Sequence, residues 1–531
     1  MKNKMILLSL LVLLSSAYGF SQTKIFWSGS DDNQWFNANN WDGNSIPTAV
    51  DHAVIPNNCA YYPSEFSEDA LELDSLTIDD AAQLILPEEG FDFSCNSPVT
   101  LRYNDASRAI FYHHLSDIEI NNEVSYSANI YRAITSTIQD GVTGIFSGSV
   151  LYEFDPFENQ WSAILDAGLP LPPGKGYFVY REEDYTYHLQ GNANNGDVEI
   201  PLQFAECRGN SFIGNPYTTF IDWDLVTERN EVDKAIYLWS IEEANYKVWN
   251  GHIGNANKGI IKPGDGFFVK VESEDAFLTF TEDCKSDSYD KEVEDWYKNY
   301  IECEISDGKY TDITYLAFLE EATDAYDFEM DAEKFAGYTF SPDIYTMGID
   351  ENCGLIDTLP YSINVLGYNY FNPMIRRLYV ESGDSTDYTL HFKAHHNNAF
   401  NQWIDFFLID SLLNTETAIE DELEISFSTT PNTLIDNRFY LKFELSNGVP
   451  ENQQKYFRIY ASNHRLHITN NYNSAYPLAI YDIMGRELYK GNLQQGDNSI
   501  SLNADRQYII IQVNYENGIN TRKFFFHQSM Q

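Results

Sequence analysis

Positive charge is what this 531-residue chain has least of: Lys and Arg total 33 against 80 Asp and Glu, for a formal net charge of −47. So acidic a surface repels phosphate backbones and anionic lipid heads, which argues against nucleic-acid and direct membrane binding. The plain reading of the acidity is solubility in a salty medium. A cation-bridged surface stays open beside it. Methionine is scarce, at 7, and the six cysteines show no close CxxC spacing of the kind structural zinc sites use. There is no lipase-type G-x-S-x-G, no H-E-x-x-H zinc helix and no Walker loop. Asn192-x-Asn194-x-Gly196 opens like an EF-hand loop, but its Gly is one position early and the twelfth-position Glu is missing. No cofactor is expected; a structural calcium in a looser loop stays open, because oxygen ligands are plentiful. Beyond the first twenty or so residues, no stretch is apolar enough to span a bilayer, so the mature chain is expected to lack a transmembrane segment.

What is present begins with an export signal. Lys2 and Lys4 precede the apolar run Met5 to Leu14, and Ser15-Ser16-Ala17 follows. That order of basic start, short apolar stretch and small-residue exit is a secretory signal peptide, here residues 1–21. Six cysteines in an exported chain suggest disulfides, and sequence neighbours are the expected partners: Cys59–Cys95, Cys207–Cys284 and Cys303–Cys353.

Tyr (37) and Phe (34) are abundant, which favours pleated sheet. Short alternating strands bounded by Asp, Asn, Gly and Pro fill residues 22–105, as in Leu73-Asp74-Ser75-Leu76-Thr77-Ile78 and Ala82-Gln83-Leu84-Ile85-Leu86. Trp27, Trp35 and Trp41 read there as core packing. The middle of the chain repeats itself. Pro173-Gly174-Lys175-Gly176-Tyr177-Phe178-Val179-Tyr180 returns as Pro263-Gly264-Asp265-Gly266-Phe267-Phe268-Val269-Lys270, each copy preceded by a matched strand pair. Two β-modules are expected, at 106–206 and 207–284. No helix follows either Gly-rich turn, so neither is a phosphate cradle. Residues 285–450 read as a β-sandwich and linker, with Phe439, Leu441, Phe443 and Leu445 on one buried face. The fold class expected is all-β and multi-domain, built of antiparallel β-sandwich modules.

The tail, 455–531, carries the most specific pattern. Ile480-Tyr481-Asp482-Ile483-Met484-Gly485-Arg486 is a strand entering a Gly turn; Tyr508 to Tyr515 is another strand; Glu516-Asn517-Gly518 turns into Thr521-Arg522-Lys523-Phe524. This resembles the type A C-terminal sorting domain of Bacteroidetes type IX secretion cargo, an Ig-like β-sandwich. Asp482, Gly485, Arg486, Gly518 and Lys523 fall on its motif. The segment Phe212-Ile213-Gly214-Asn215-Pro216-Tyr217…Ile221-Asp222-Trp223 and the stretch Tyr326-Asp327 to Asp331-Ala332-Glu333-Lys334 resemble parts of Bacteroidetes surface proteins and adhesins. The resemblance implies recognition by the outer-membrane type IX machinery, passage through the periplasm, and a secreted or cell-surface destination. It supplies no catalytic residue.

Chemistry-bearing candidates are few. His113-His114 precedes Asp117, and His395-His396 precedes Asp405. Adjacent strand residues point to opposite faces, so neither pair is expected to build one site. Asp222 and Asp224 read as turn caps, with calcium ligation as the alternative. The leading expectation is a non-enzymatic, adhesin-like protein that contacts a glycan or a cell surface. The alternative is a secreted polysaccharide- or protein-degrading hydrolase whose acids the sequence does not single out.

Overall fold

A computed structural model describes residues 23–526 apart from 206–208, 294–295, 298, 320–321, 324, 351–356, 368–373, 397–403, 446–456, 463–464, 471–473, 483, 503–506 and 516–517. The described residues form strands, with only short 3₁₀ turns and no longer helix, so the chain is all-β. The signal segment, Cys207 and Cys353 lie outside the described residues.

The first region departs from the expected antiparallel sandwich. Strands β1 (Lys24–Phe26), β2 (His52–Ile55), β3 (Ala70–Leu73), β4 (Ser75–Ile78), β5 (Gln83–Ile85), β6 (Asp92–Cys95), β7 (Val99–Tyr103), β8 (Ile110–Tyr112) and β9 (Glu119–Tyr126) wind as stacked coils. Equivalent strands of successive coils pair in parallel: β3 with β6, β4 with β7, β5 with β8. The reason is local. Only Asp74 separates β3 from β4, and one residue turns a corner but cannot reverse a chain, which takes at least a two-residue turn. Each strand therefore finds its partner one coil later, as in a solenoid. Leu71, Leu73, Leu76, Ile78, Leu84, Val99, Leu101 and Phe111 stack into its core, none more than 2% exposed. Trp27, Trp35 and Trp41 are fully buried against one another and cap one end, with ring centroids 4.7–6.3 Å apart.

The chain then leaves the solenoid and returns to it. β10 (Arg132–Ile134), β11 (Val150–Asp155), β12 (Gln160–Ile164) and β13 (Tyr177–Tyr180) form an antiparallel sheet in the order β10-β13-β11-β12. β14 (Tyr185–Asn192) then rejoins the solenoid sheet antiparallel to β9, from Tyr185 opposite Tyr126 to Asn192 opposite Glu119. The second module has the same order: Asn210–Gly214, Gly266–Val271, Val232–Ser240, Asn245–Trp249.

The two modules hold each other by their Gly turns. Gly176 N donates to Phe212 O at 3.0 Å and Gly214 N to Gly174 O at 2.9 Å, while Thr135 N donates to Gly264 O at 2.9 Å. Glycine is required by close approach: a Cβ on Gly176 would sit 2.6 Å from Ile213 O, and one on Gly214 2.6 Å from Thr135 Cβ. Phe154, Trp161, Phe178, Phe212 and Phe268 fill the seam between the sheets. The strand Gly266–Val271 is buried on both faces. Phe267, Val269 and Val271 enter one core, Phe268 enters the aromatic seam, and Lys270 pairs with Glu333 at 2.6 Å.

Residues 299–445 form one continuous sheet that folds over its own core, antiparallel except where Thr311–Leu319 pairs in parallel with Asp357–Gly367. Phe439, Leu441 and Phe443 are buried on one face, as the alternation predicts; the side chain of Leu445 lies outside the described residues. The last region has two sheets of its own. One is Phe457–Ser462, Arg465–Asn470, Gly496–Ser501; the other is Glu487–Leu493, Tyr476–Asp482, Gln507–Tyr515, Gly518–Phe526. Among the described residues its core, Leu466, Ile468, Leu478, Ile480, Ile500, Ile509, Ile511 and Val513 among others, contains none from outside that region.

Candidate functional site

Two adjoining cavities lie where the solenoid's last strands meet the first module. The inner one, about 20 Å³, is lined by Tyr103, Arg108, Asn122, Tyr126, Thr137 and Tyr187, among others. The outer one, about 10 Å³, is lined by Tyr126, Arg132, Ser149, Tyr180, Arg181, Glu183, Tyr185 and Tyr187 among its residues. Volumes of this order suit a water-sized group. Arg108 Nε, Arg132 Nη1 and Ser149 Oγ are buried in these linings without a hydrogen-bond partner among the described residues, beside the Tyr103–Asn122 and Tyr126–Tyr187 pairs. Buried polar atoms are ordinarily paired, so this concentration marks the joint as a place that suits a polar guest.

The arginines are there by register. Arg132 shares a strand face with Ile134, so it is carried into the interior and is only 3% exposed. Its Nε and Nη2 bond Asp105 Oδ1 at 2.9 and 2.5 Å. Burial works against the Asp105 charge, but bonds from Ser127 and Arg132 outweigh it and hold the carboxyl below its usual range. Arg108 Nη2 bonds Asp265 Oδ1 at 2.6 Å, tying the solenoid to the second module's turn. Burial opposes this cation too, and Asp265 overrides it, lifting the guanidinium above its usual value. Burial pushes the Tyr103, Tyr126 and Tyr187 phenols up, so all three keep their protons at neutral pH. Arg181 has no ion pair among the described residues; its guanidinium lies 4.0 Å above the Tyr185 ring. The joint can donate hydrogen bonds and stack rings. It has no paired acids for bond cleavage: Glu183 is the one carboxylate lining either cavity.

The residues singled out in the sequence lie elsewhere, and most are structural. Cys59 and Cys95 are unbridged, which overturns their expected pairing. Cys59 sits past the C-terminal end of β2, with Sγ 3.4 Å from Pro56 O, while Cys95 Sγ lies by Asp74 O, before the start of β4. β2 and β4 run parallel, so the two thiols are at opposite ends of a four-residue strand, about 13 Å. A disulfide needs its Cα atoms within about 7 Å. Cys284 and Cys303 are buried free thiols, and their expected partners lie outside the described residues.

Burial holds His113 neutral, with its pKa down to about 3. His114 Nδ1 instead meets Glu282 Oε2 at 2.5 Å, and Lys285 Nζ bonds the same carboxylate at 2.7 Å. The pair is thus split between two environments. His395 stacks on Tyr300 and lies 2.6 Å from Glu302 Oε1, a contact whose angle does not make a hydrogen bond. The His396 side chain lies outside the described residues. Asp222 caps a 3₁₀ turn by accepting from Asp224 N, and Lys291 bridges both carboxylates. Asn194 Nδ2 donates to Ser136 O and Pro216 O, which makes it a loop brace. Among the described residues, no three His, Cys, Asp or Glu side chains converge as metal ligands.

In the tail, Asp482 organises its turn. Its carboxylate accepts from Met484 N at 3.0 Å, Arg486 N at 2.8 Å and Arg486 Nε at 3.0 Å. The backbone bond from Arg486 is the main reason its carboxyl sits below the usual range. Gly485 takes φ +80° there, a left-handed angle that glycine allows. Gly518 and Lys523 lie on the last strand, opposite Tyr515 and Ile510, with their side-chain positions outside the described residues.

Residues 445–526 match a family described as a domain of unknown function, DUF8694. Comparison with curated proteins gives no match. Among the described residues no helix is long and apolar enough to cross a membrane.

Proposed function

We propose that this is an exported, non-catalytic binding protein: a β-scaffold that contacts glycan or a cell surface, carried out by the type IX secretion machinery through its tail. The observation that carries the reading is the independence of that tail. Among the described residues, its two sheets and its core draw on no strand of the preceding regions, as a detachable address requires. The Asp482–Gly485–Arg486 turn adds to it, because the residues of the sorting-domain resemblance are the ones that build the turn. The binding half of the proposal is supported by the shape of the rest. The two cavities at the joint are water-sized and hold at most one carboxylate, where glycoside hydrolysis needs two across a cleft. Deleting residues 455–531 in the native host should leave the remainder folded and trapped in the periplasm. Normal levels of the truncated protein in the medium would refute the export role.

A further inference from the structure

We infer that the outer cavity is a carboxylate-recognising notch for an acidic glycan, an inference that rests on the glycan-binding reading above. The argument starts from charge. In a chain of net charge −47, cations find carboxylate partners easily. Arg181 has none among the described residues. It lies over the Tyr185 ring and against the backbone at Gly148, where a Cβ would come within 3.1 Å of its Nη1. A guanidinium placed in this way keeps its planar fork free for a ligand.

The unpartnered atoms of the outer lining have one character. Arg132 Nη1 is an obligate donor and Ser149 Oγ can donate, while Tyr187 Oη already meets Tyr126. The inner cavity differs, for there Asn122 meets the Tyr103 hydroxyl beside Arg108 Nε, and the space left suits water. An outer guest that only accepts satisfies every group. A carboxylate does so with charge-assisted bonds to the arginines, which a neutral sugar hydroxyl does not make. Size selects further. A water-sized hollow takes one oxygen of a planar carboxylate, with the second at the mouth beside Arg181. Asp105 does not spoil the site, because Arg132 and Ser127 N already occupy its oxygens. Repulsion from distant acids is screened beyond about 8–10 Å at physiological salt.

The test is calorimetry of the whole mature chain with oligomers of galacturonic, glucuronic and mannuronic acid, their methyl esters, and a sulfated galactan. At least one free acid should bind, and its ester should bind at least about tenfold more weakly, the worth of a charge-assisted hydrogen bond. Arg181→Ala should lose a similar factor, Arg181→Lys should recover it only in part, and Glu183→Gln should bind the acid more tightly while leaving the melting temperature unchanged. Equal binding of acid and ester, preference for the sulfated polymer, or an unaffected Arg181→Ala would overturn the notch and leave glycan binding standing. Binding of no oligomer at all would overturn both.

Discussion

Single side chains in this protein carry opposite pH signatures. Burial raises Asp312 to about 6, against the opposing pull of Lys334 at 2.8 Å. The folded state therefore holds that proton more tightly than the unfolded chain, whose Asp titrates near 3.9. Its contribution to stability is full below the unfolded pKa and is lost as pH rises toward 6. His113 works the other way. Its folded pKa falls to about 3, so stability is lost as pH drops below about 6.5, where the unfolded imidazole charges. Asp312→Asn should flatten the first slope and His113→Asn the second, read from urea melts between pH 4 and 7. At the joint, Tyr103→Phe removes a hydroxyl that meets Asn122 and should cost about 1 kcal/mol. Arg108→Met leaves Asp265 unpaired and should cost about 2–3 kcal/mol, reduced from the fully buried case because Asp265 reaches solvent. Alkylation in denaturant without reductant should modify both Cys59 and Cys95, since neither is bridged.

At the scale of elements, the sequence spoke clearly where one residue's burial follows from its neighbour two places on. Phe439, Leu441 and Phe443 were legible that way, and so was the doubled Gly turn, which the structure turns into two sheets of identical strand order. The same alternation rule had a further use that lay in plain sight: Arg132 sits two places from Ile134, so it had to share the buried face. The solenoid was not legible, because alternation gives a strand's faces and says nothing about its partner. Parallel and antiparallel pairing differ through a contact tens of residues away, and the clue was the single-residue corner at Asp74. The cavities were invisible for a related reason, being bounded by strands from both ends of a long excursion, β9 and β14. The glycine turns yield a direct test. Gly176→Ala forces a Cβ against Ile213 O and should cost about 1–3 kcal/mol, as overpacked positions do. Gly196→Ala, with nothing within 4 Å but φ +69°, should cost about 1 kcal/mol.

For the whole molecule, the excursion between β9 and β14 has a mechanical reading. Under the proposed surface display, the chain would be loaded from one end when its target moves. The first module leaves the solenoid and comes back to it, and each module's Gly turn is hydrogen-bonded into the other's edge strand. A pull along the backbone thus meets both modules as one clamp, in which the bonds at Gly176, Gly214 and Thr135 must shear together. Stretched between its ends, residues 119–284 should give way in a single rupture, with no separate peak for either half.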